Sequence, residues 1–478
     1  MKLSRLTGTS FDPDPDIAGL TSDSREVEPN FLFAAIKGGG YDGADFIDDA
    51  IDAGAVAILA DMGVTSGLPV INDPEPRRRL SEISSTFFGA QPKTIAGITG
   101  TNGKTSTAFF CEQLWRRLGS NAASIGTLGV HLEEKLFSLQ HTTPDPVMLH
   151  HALAELVTRD VTHVAMEVSS HGLAQYRADS VDFSIAGFTN ITQDHLDFHN
   201  SFDDYFDAKK KLFTELLPAD GIAVVNTDGA FADSLVSMLQ ASGIETITTG
   251  SCGDIKLASC LPHAGGLSLN IVPFGGAPIE VQLPLIGAFQ AENALLAAGI
   301  LVASGENPSI VIGELGSLDS VPGRMMYAGS IGGGSVYIDY AHTPDAINSA
   351  IEAIRLHATG RIIVVFGAGG DRDKSKRSLM GKAAQKADVI IVTDDNPRSE
   401  DPEAIRKEIM VGCPDASEIG DRSEAIAHGV SMMQSGDVLL VAGKGHEMSQ
   451  IVGHETRYFS DAECVQDAIS SLGSLSNV

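Results

Sequence analysis

Short apolar runs rich in β-branched residues recur along the chain, and each one stops at a glycine-rich or polar turn. They are Ala55–Ala60, Thr94–Thr99, Val161–Val168, Phe183–Thr189, Ile222–Asn226, Arg361–Phe366, Asp388–Thr393 and Asp437–Ala442. Helical spacing often follows the turn. Continuous apolar strands alternating with helices predict an α/β fold built on parallel sheets. At 478 residues the chain has room for about three such domains. Breaks at Gly89-Ala90-Gln91-Pro92 and Val321-Pro322-Gly323 divide it into 1–92, 93–322 and 323–478. The middle block is expected to carry a P-loop-type parallel sheet, with a local antiparallel addition over Leu257–Leu285. The last block is expected to form a Rossmann-like sheet and to end in a helix, Asp461–Leu472.

Composition narrows the function classes. Hydrophobic residues make up 43% and charged residues 20%, as in ordinary globular proteins. The formal net charge is −29, which repels phosphate backbones and anionic lipid over most of the surface. Neither a nucleic acid nor a membrane partner is expected. The five cysteines are scattered and form no CxxC pair, which argues for a reducing compartment and against zinc. The N-terminal MKLSRLTGTSFDPDPD has no apolar core of a signal peptide, and no apolar run approaches the roughly 20 residues that span a bilayer. A cytoplasmic location is expected.

The strand Thr94–Thr99 runs into Gly100-Thr101-Asn102-Gly103-Lys104-Thr105-Ser106, and helical spacing follows to Leu118. Strand, glycine turn, Lys-Thr and helix is the geometry that wraps backbone N–H groups around phosphates. Lys104 would neutralise phosphate oxygens, and the Thr105 hydroxyl would ligate Mg²⁺. The general pattern has glycine where this chain has Ile98, so the match is partial. The other reading is a glycine-rich surface turn. Two further loops follow neighbouring strands: Glu167-Val168-Ser169-Ser170-His171-Gly172 and Asn190-Ile191-Thr192-Gln193-Asp194-His195. In an open parallel sheet the carboxyl ends of strands line one crevice. There Glu167 and His195 could hold a second metal ion, and Asn190 could orient phosphate. Lys209-Lys210-Lys211 cannot share one helical face, so at most one or two of them turn inward.

The last block repeats the logic. Gly367–Asp373, Asp394–Arg398 and Gly443–Glu447 each follow an apolar run. Arg372 and Arg398 suit carboxylates and Glu447 suits an ammonium, a set fitted to a zwitterionic substrate. GAGGDR lacks the GxGxxG spacing of a dinucleotide site.

GTNGKT at 100–105, EVSSHG at 167–172, DYAHTPD at 339–345, GGDRDKSKR at 369–377, DNPR at 395–398 and GKGHE at 443–447 follow one another in that order. Together they resemble the Mur ligases, and Thr21–Arg25 extends the resemblance to the first block. The resemblance implies ATP and Mg²⁺, a UDP-muramoyl-dipeptide and meso-diaminopimelate. It also implies an acyl phosphate on the dipeptide carboxylate that the incoming amine attacks. By the same resemblance, Ser22 and Ser24 contact the uridine nucleotide near the Gly39–Tyr41 backbone, where the family usually has polar side chains. Thr142, Thr143, Ser169, Gln175 and Arg177 hold the muramoyl-dipeptide. Lys209 matches a carbamylated lysine that joins Thr105, Glu167 and His195 around the metal. Lys104, Lys209 and His195 thereby become the catalytic set. Asn190, Asn293, Arg324, Asp339 and His342 join the phosphate loop at the nucleotide. Arg372, Asp395, Asn396, Pro397, Arg398, Gly443 and Glu447 form the amino-acid site. Three other readings are a lysine-adding ligase, which Arg398 disfavours, a non-catalytic structural homologue, and a generic P-loop ATPase.

Overall fold

The computed structural model describes every residue except 39, 133, 140, 193–200, 264 and 476–478. Two compact units emerge. One comprises 1–256 with 295–311, and the other 257–294 with 312–478. The block expected at 93–322 is thus shared between them.

The first unit holds two sheets. A small parallel sheet runs β1 (Gly19–Thr21), β2 (Phe31–Ala35), β3 (Ala55–Ala60), β4 (Val70–Asn72), in that spatial order. The large sheet uses β5 (Thr94–Thr99), β6 (Ala122–Gly126), β7 (Gly129–Leu132), β8 (Glu134–Phe137), β9 (His163–Glu167), β10 (Ile185–Phe188), β11 (Ile222–Asn226) and β12 (Glu245–Gly250). Their spatial order is β12-β11-β10-β5-β9-β6-β7-β8, parallel from β12 to β6 and antiparallel beyond. The chain leaves β9 on one side of β5 and returns as β10 on the other. The strand order therefore switches at β5, which is where ligand crevices open in such sheets.

In the second unit, β13 (Ile255–His263) leads into the antiparallel pair β14 (Gly266–Pro273) and β15 (Ile279–Leu283). A second mostly parallel sheet contains β16 (Met326–Ile331), β17 (Gly334–Asp339), β18 (Ile362–Phe366), β19 (Val389–Val392), β20 (Ser417–Glu418) and β21 (Val438–Ala442). Its order is β16-β17-β21-β18-β19-β20, so the ends of β19, β18 and β21 are neighbours. A hairpin of β22 (Ser449–Val452) and β23 (Glu455–Tyr458) follows.

Local chemistry explains several boundaries. Asp145, Thr343 and Asp401 each precede a proline and cap the helices Pro146–Thr158, Pro344–Arg355 and Pro402–Met410 by accepting backbone N–H groups. Every residue of β18 and β21 is buried, as the uninterrupted apolar runs predict. The three lysines 209–211 end an α-helix, Phe202–Lys211, which widens to a π turn over Leu212–Leu216.

His150 lies on Pro146–Thr158 with 1% of its surface exposed, and its Nε2 has no hydrogen-bond partner among the described residues. Burial holds its pKa down to about 4, so the folded protein keeps it neutral. The unfolded chain binds the proton more readily below pH 6.5. Stability is therefore expected to fall as the pH drops from about 6.5 toward 4, by about 3 kcal/mol from this residue at roughly 1.4 kcal/mol per unit. Urea unfolding at pH 7 and pH 4.5, on native and His150→Leu protein, checks this. The pH-dependent loss should be smaller in the variant.

Candidate active site

The first unit places the ends of β5, β9 and β10 side by side. Gly100 has φ +145°, and a Cβ there would lie 1.9 Å from the Thr189 Oγ1, so only glycine lets the loop pass β10. Gly103 at φ +86° turns the chain into the helix Lys104–Arg117. Lys104 Nζ donates to the carbonyls of Gly100 and Thr101 at 2.9 and 2.8 Å. Asn102 N donates to Asn190 Oδ1 at 3.1 Å, which ties the loop after β10 to the phosphate loop. Ser106 is buried in the first helical turn.

Thr105 Oγ1 donates to Glu167 Oε2 at 2.9 Å. Thr127 N, just past β6, donates to the other oxygen, Glu167 Oε1, at 2.7 Å. A Cβ on Gly126 would meet that same oxygen at 2.1 Å. The carboxylate at the end of β9 is thus set by the helix after β5 and by the end of β6, and nothing in the sequence marked Thr127 or Gly126. Buried hydroxyl and carboxylate oxygens beside a phosphate loop are hard donors of the kind Mg²⁺ takes. Among the described residues no group of three His, Cys, Asp or Glu converges as a metal cage. Two protein oxygens suit Mg²⁺, which keeps waters and substrate phosphates as its other ligands. His195 lies outside the described residues.

Of the three lysines, Lys209 alone is buried, with 1% exposure. Its Nζ donates to Gly100 O at 2.7 Å and lies 4.4 Å from the centre of the Tyr205 ring. The Tyr205 hydroxyl sits 3.1 Å from Thr101 Oγ1. Lys210 instead pairs with Asp207 at 2.5 Å on the surface. Lys209 is therefore a member of the phosphate-loop scaffold.

A cavity of about 910 Å³ opens in the same unit. Ser22, Ser24, Gln175 and Arg177 line it together, although 150 residues separate the two pairs in sequence. Arg77 lines it too, and burial lowers the pKa of both Arg77 and Arg177. Facing cations in a partly closed cavity suit a polyanion such as a nucleoside diphosphate. Arg77 was missed because nothing in Arg77-Arg78-Arg79 sets one arginine apart from its neighbours, and only the packed helix Pro76–Phe88 shows which one lines the cavity. Gln175 Oε1 accepts from Arg177 Nη2 at 2.7 Å. Thr143 is fully buried, and its Oγ1 bonds Glu167 O and Ser169 N. Its side chain therefore braces the loop after β9. Thr142 Oγ1 meets Thr127 Oγ1 at 3.1 Å, and Ser169 caps the turn at Gly172. Gly39 lies outside the described residues.

In the second unit Arg324 stacks on the Tyr340 ring at 4.4 Å. Asp339 accepts from Met325 N and Ala341 N, and burial pushes its carboxyl up. His342 Nδ1 donates to Tyr340 O at 2.8 Å. Asn293 is buried and donates to Gln290 Oε1.

The ends of β18, β19 and β21 form a second polar rim. Arg398 has φ +51° and is held on both sides: its N donates to Ile451 O and its O accepts from Gly453 N. Its Nη1 donates to Gly370 O at 2.8 Å. A Cβ on Gly370 would lie 1.9 Å from Pro397 O, so the two loops interlock. Backbone strain of this kind, held by its surroundings, gathers at functional sites. Asn396 Nδ2 donates to Glu447 Oε2 at 2.9 Å. A Cβ on Gly443 would approach Asp395 Oδ2 at 2.7 Å. Arg372 is exposed, and its Nη1 donates to Asp371 O at 3.2 Å.

A phosphate loop at the switch of a parallel sheet, a cavity lined by two arginines and a second polar rim fit the class of enzymes that spend a nucleoside triphosphate on joining two substrates. Three family descriptions match the chain: "Mur ligase family, catalytic domain" over 16–87, "Mur ligase middle domain" over 98–301 and "Mur ligase, glutamate ligase domain" over 323–445. A UDP-N-acetylmuramoyl-L-alanyl-D-glutamate–2,6-diaminopimelate ligase of Caulobacter vibrioides is 46% identical over 97% of this chain and 98% of its own. One of the same name from Agrobacterium fabrum is 45% identical over 96% and 94%. A solved structure with that name is 30% identical, with TM-score 0.71 over 99% of both chains. A MurF ligase from Thermotoga maritima in complex with ADP shares the fold at 19% identity and TM-score 0.62, over 95% of this chain and 97% of its own. The chain belongs to the Mur ligase family.

Proposed function

We infer that the protein is an ATP-dependent ligase that joins meso-diaminopimelate to the D-glutamate of UDP-N-acetylmuramoyl-L-alanyl-D-glutamate in peptidoglycan synthesis. The reading includes a monomer at work in the cytoplasm, where ATP and the nucleotide-linked substrate are found. It also assigns the nucleotide substrate to 1–92, ATP to 93–322 and the amino acid to 323–478. No described helix is long and apolar enough to cross a membrane. The observation that carries the reading is the pairing of Thr105 with Glu167 at the phosphate loop, in a chain whose other rim clamps Arg398 beside Asn396 and Glu447.

The mechanism follows from charge. Amide formation from a carboxylate is uphill in water, so the carboxylate must first be activated and water kept away. In the proposed reaction the D-glutamate carboxylate takes the γ-phosphoryl group of ATP, and the amine attacks the resulting acyl phosphate. Backbone N–H groups of Gly100–Thr105 and the Lys104 ammonium would stabilise charge on the moving phosphoryl. Thr105 and Glu167, with His195 and Lys209 in carbamylated form, would hold Mg²⁺, and the ion would offset phosphate charge. Arg77 and Arg177 would face the diphosphate of the nucleotide substrate.

Arg398 favours diaminopimelate over lysine. The two amino acids differ by the distal carboxylate, and a guanidinium pairs with it bidentately. Removing one partner of a buried charge pair costs about 2–5 kcal/mol. Arg398→Ala is expected to lose that much efficiency with meso-diaminopimelate, mainly through KM, while KM for ATP stays near native. Steady-state kinetics with both amino acids checks this, and a native enzyme that prefers lysine would refute the specificity. The reaction itself is tested by incubating native protein with ATP, the nucleotide dipeptide and meso-diaminopimelate, then weighing the product by mass spectrometry. The account predicts one new amide.

A further inference from the structure

Lys444 is fully buried, with 0% exposure, one residue beyond the end of the apolar strand β21 and its turn glycine. Its Nζ donates to Glu447 Oε2 at 3.0 Å and to Asn396 Oδ1 at 3.1 Å. The same Asn396 Oδ1 accepts from Ile451 N at 2.9 Å, and Asn396 Nδ2 donates to Glu447 Oε2 at 2.9 Å. Gln450 Nε2 donates to Asp395 O at 2.8 Å. One ammonium therefore joins the loop after β21 to the loop after β19, and the β22–β23 hairpin braces the join. Glu447 keeps 31% of its side chain exposed, so the lysine lies beneath and the carboxylate above.

A buried ammonium is an expensive way to fill space. Desolvating it costs several kcal/mol, and an apolar side chain of similar size is often equal or better for stability alone. The geometry suggests a different return. With Oε2 held by two donors, the Glu447 carboxylate is fixed in place, and its exposed face can receive a cation without first ordering itself.

We propose that Lys444 is a positioning residue of the amino-acid site, one that fixes the Glu447 carboxylate, through the Lys444–Asn396–Glu447 network, for the ammonium of the incoming amino acid. The inference rests on the amino-acid assignment made above and adds a residue to it. Charged hydrogen bonds of this kind, when broken, change binding by about 10- to 100-fold.

The test is steady-state kinetics on Lys444→Met, Lys444→Gln and Lys444→Arg, each checked for folding by thermal melting. The two neutral variants are expected to raise KM for meso-diaminopimelate about 10- to 100-fold. KM for ATP and for the nucleotide dipeptide should stay within about twofold, since neither meets this network. Lys444→Arg keeps the charge and folds where a neutral variant does not, and it should recover most of the loss. Equal weakening toward all three substrates would make Lys444 merely structural and overturn the proposal. So would a fall in KM for the amino acid, which would mean that Lys444 competes with the substrate ammonium for Glu447. Native protein that does not use meso-diaminopimelate would instead refute the underlying assignment, whatever the variants do.

Discussion

Lys104→Ala is expected to abolish ligation and leave the fold standing. The lysine Nζ donates to two carbonyls of its own loop, Gly100 O and Thr101 O. Gly100 O keeps a second donor in Lys209, so truncation strands no buried acceptor there. Catalysis is another matter. Phosphoryl transfer asks the protein chiefly for position and charge neutralisation, and one such cation is worth about 10³-fold or more in rate. Product formation should therefore drop by that factor, while the melting temperature stays within a few degrees of native. A variant that keeps a tenth of native turnover would remove Lys104 from the reaction.

Lys209→Ala should be as damaging, and Lys210→Ala should be mild. The two residues are adjacent, yet one is buried against the phosphate loop and the other pairs with Asp207 at the surface. An exposed pair of that kind is worth at most about 1 kcal/mol. Lys209 has two separable uses. As an ammonium it holds Gly100 O beneath the loop. As the proposed carbamate it would present an anion to the metal. The expected loss in Lys209→Ala is about 10²-fold or more, by analogy with the removal of one preorganised charge-stabilising group. A small carboxylate added to the assay should restore part of the activity, because it can replace a missing anion and cannot replace a missing ammonium. Restoration by a small alkylamine, with none by the carboxylate, would favour the ammonium role. Near-native turnover without additives would remove Lys209 from the site.

The parallel sheets were legible because buried strands need uninterrupted apolar runs. Ala55–Ala60, Thr94–Thr99 and Ile222–Asn226 became strands with those bounds. Val161–Val168 shortened to His163–Glu167, the stretch whose residues pair with β5 and β6 on either side. Glycine turns after strands located the loops, since a parallel sheet brings its carboxyl ends to one edge. What sequence could not show was which neighbours those loops meet. Thr127 and Gly126 touch Glu167 across about 40 residues, and nothing local to either records it. Arg77 is indistinguishable from Arg78 and Arg79 until the helix packs. Lys444 stood inside a quoted motif, but its role depends on Asn396, 48 residues away. Thr143 illustrates the reverse case: its motif invited a ligand, and its hydroxyl is spent inside the fold.

Release of inorganic phosphate tests the central claim most directly. Native protein should be given ATP and Mg²⁺ with neither substrate, with the nucleotide dipeptide alone, with meso-diaminopimelate alone, and with both. If ATP is spent on an acyl phosphate that an amine must discharge, steady release requires both, and each mole of phosphate is matched by a mole of amide. Vigorous release with neither substrate present, or steady release without the amino acid, would contradict the account.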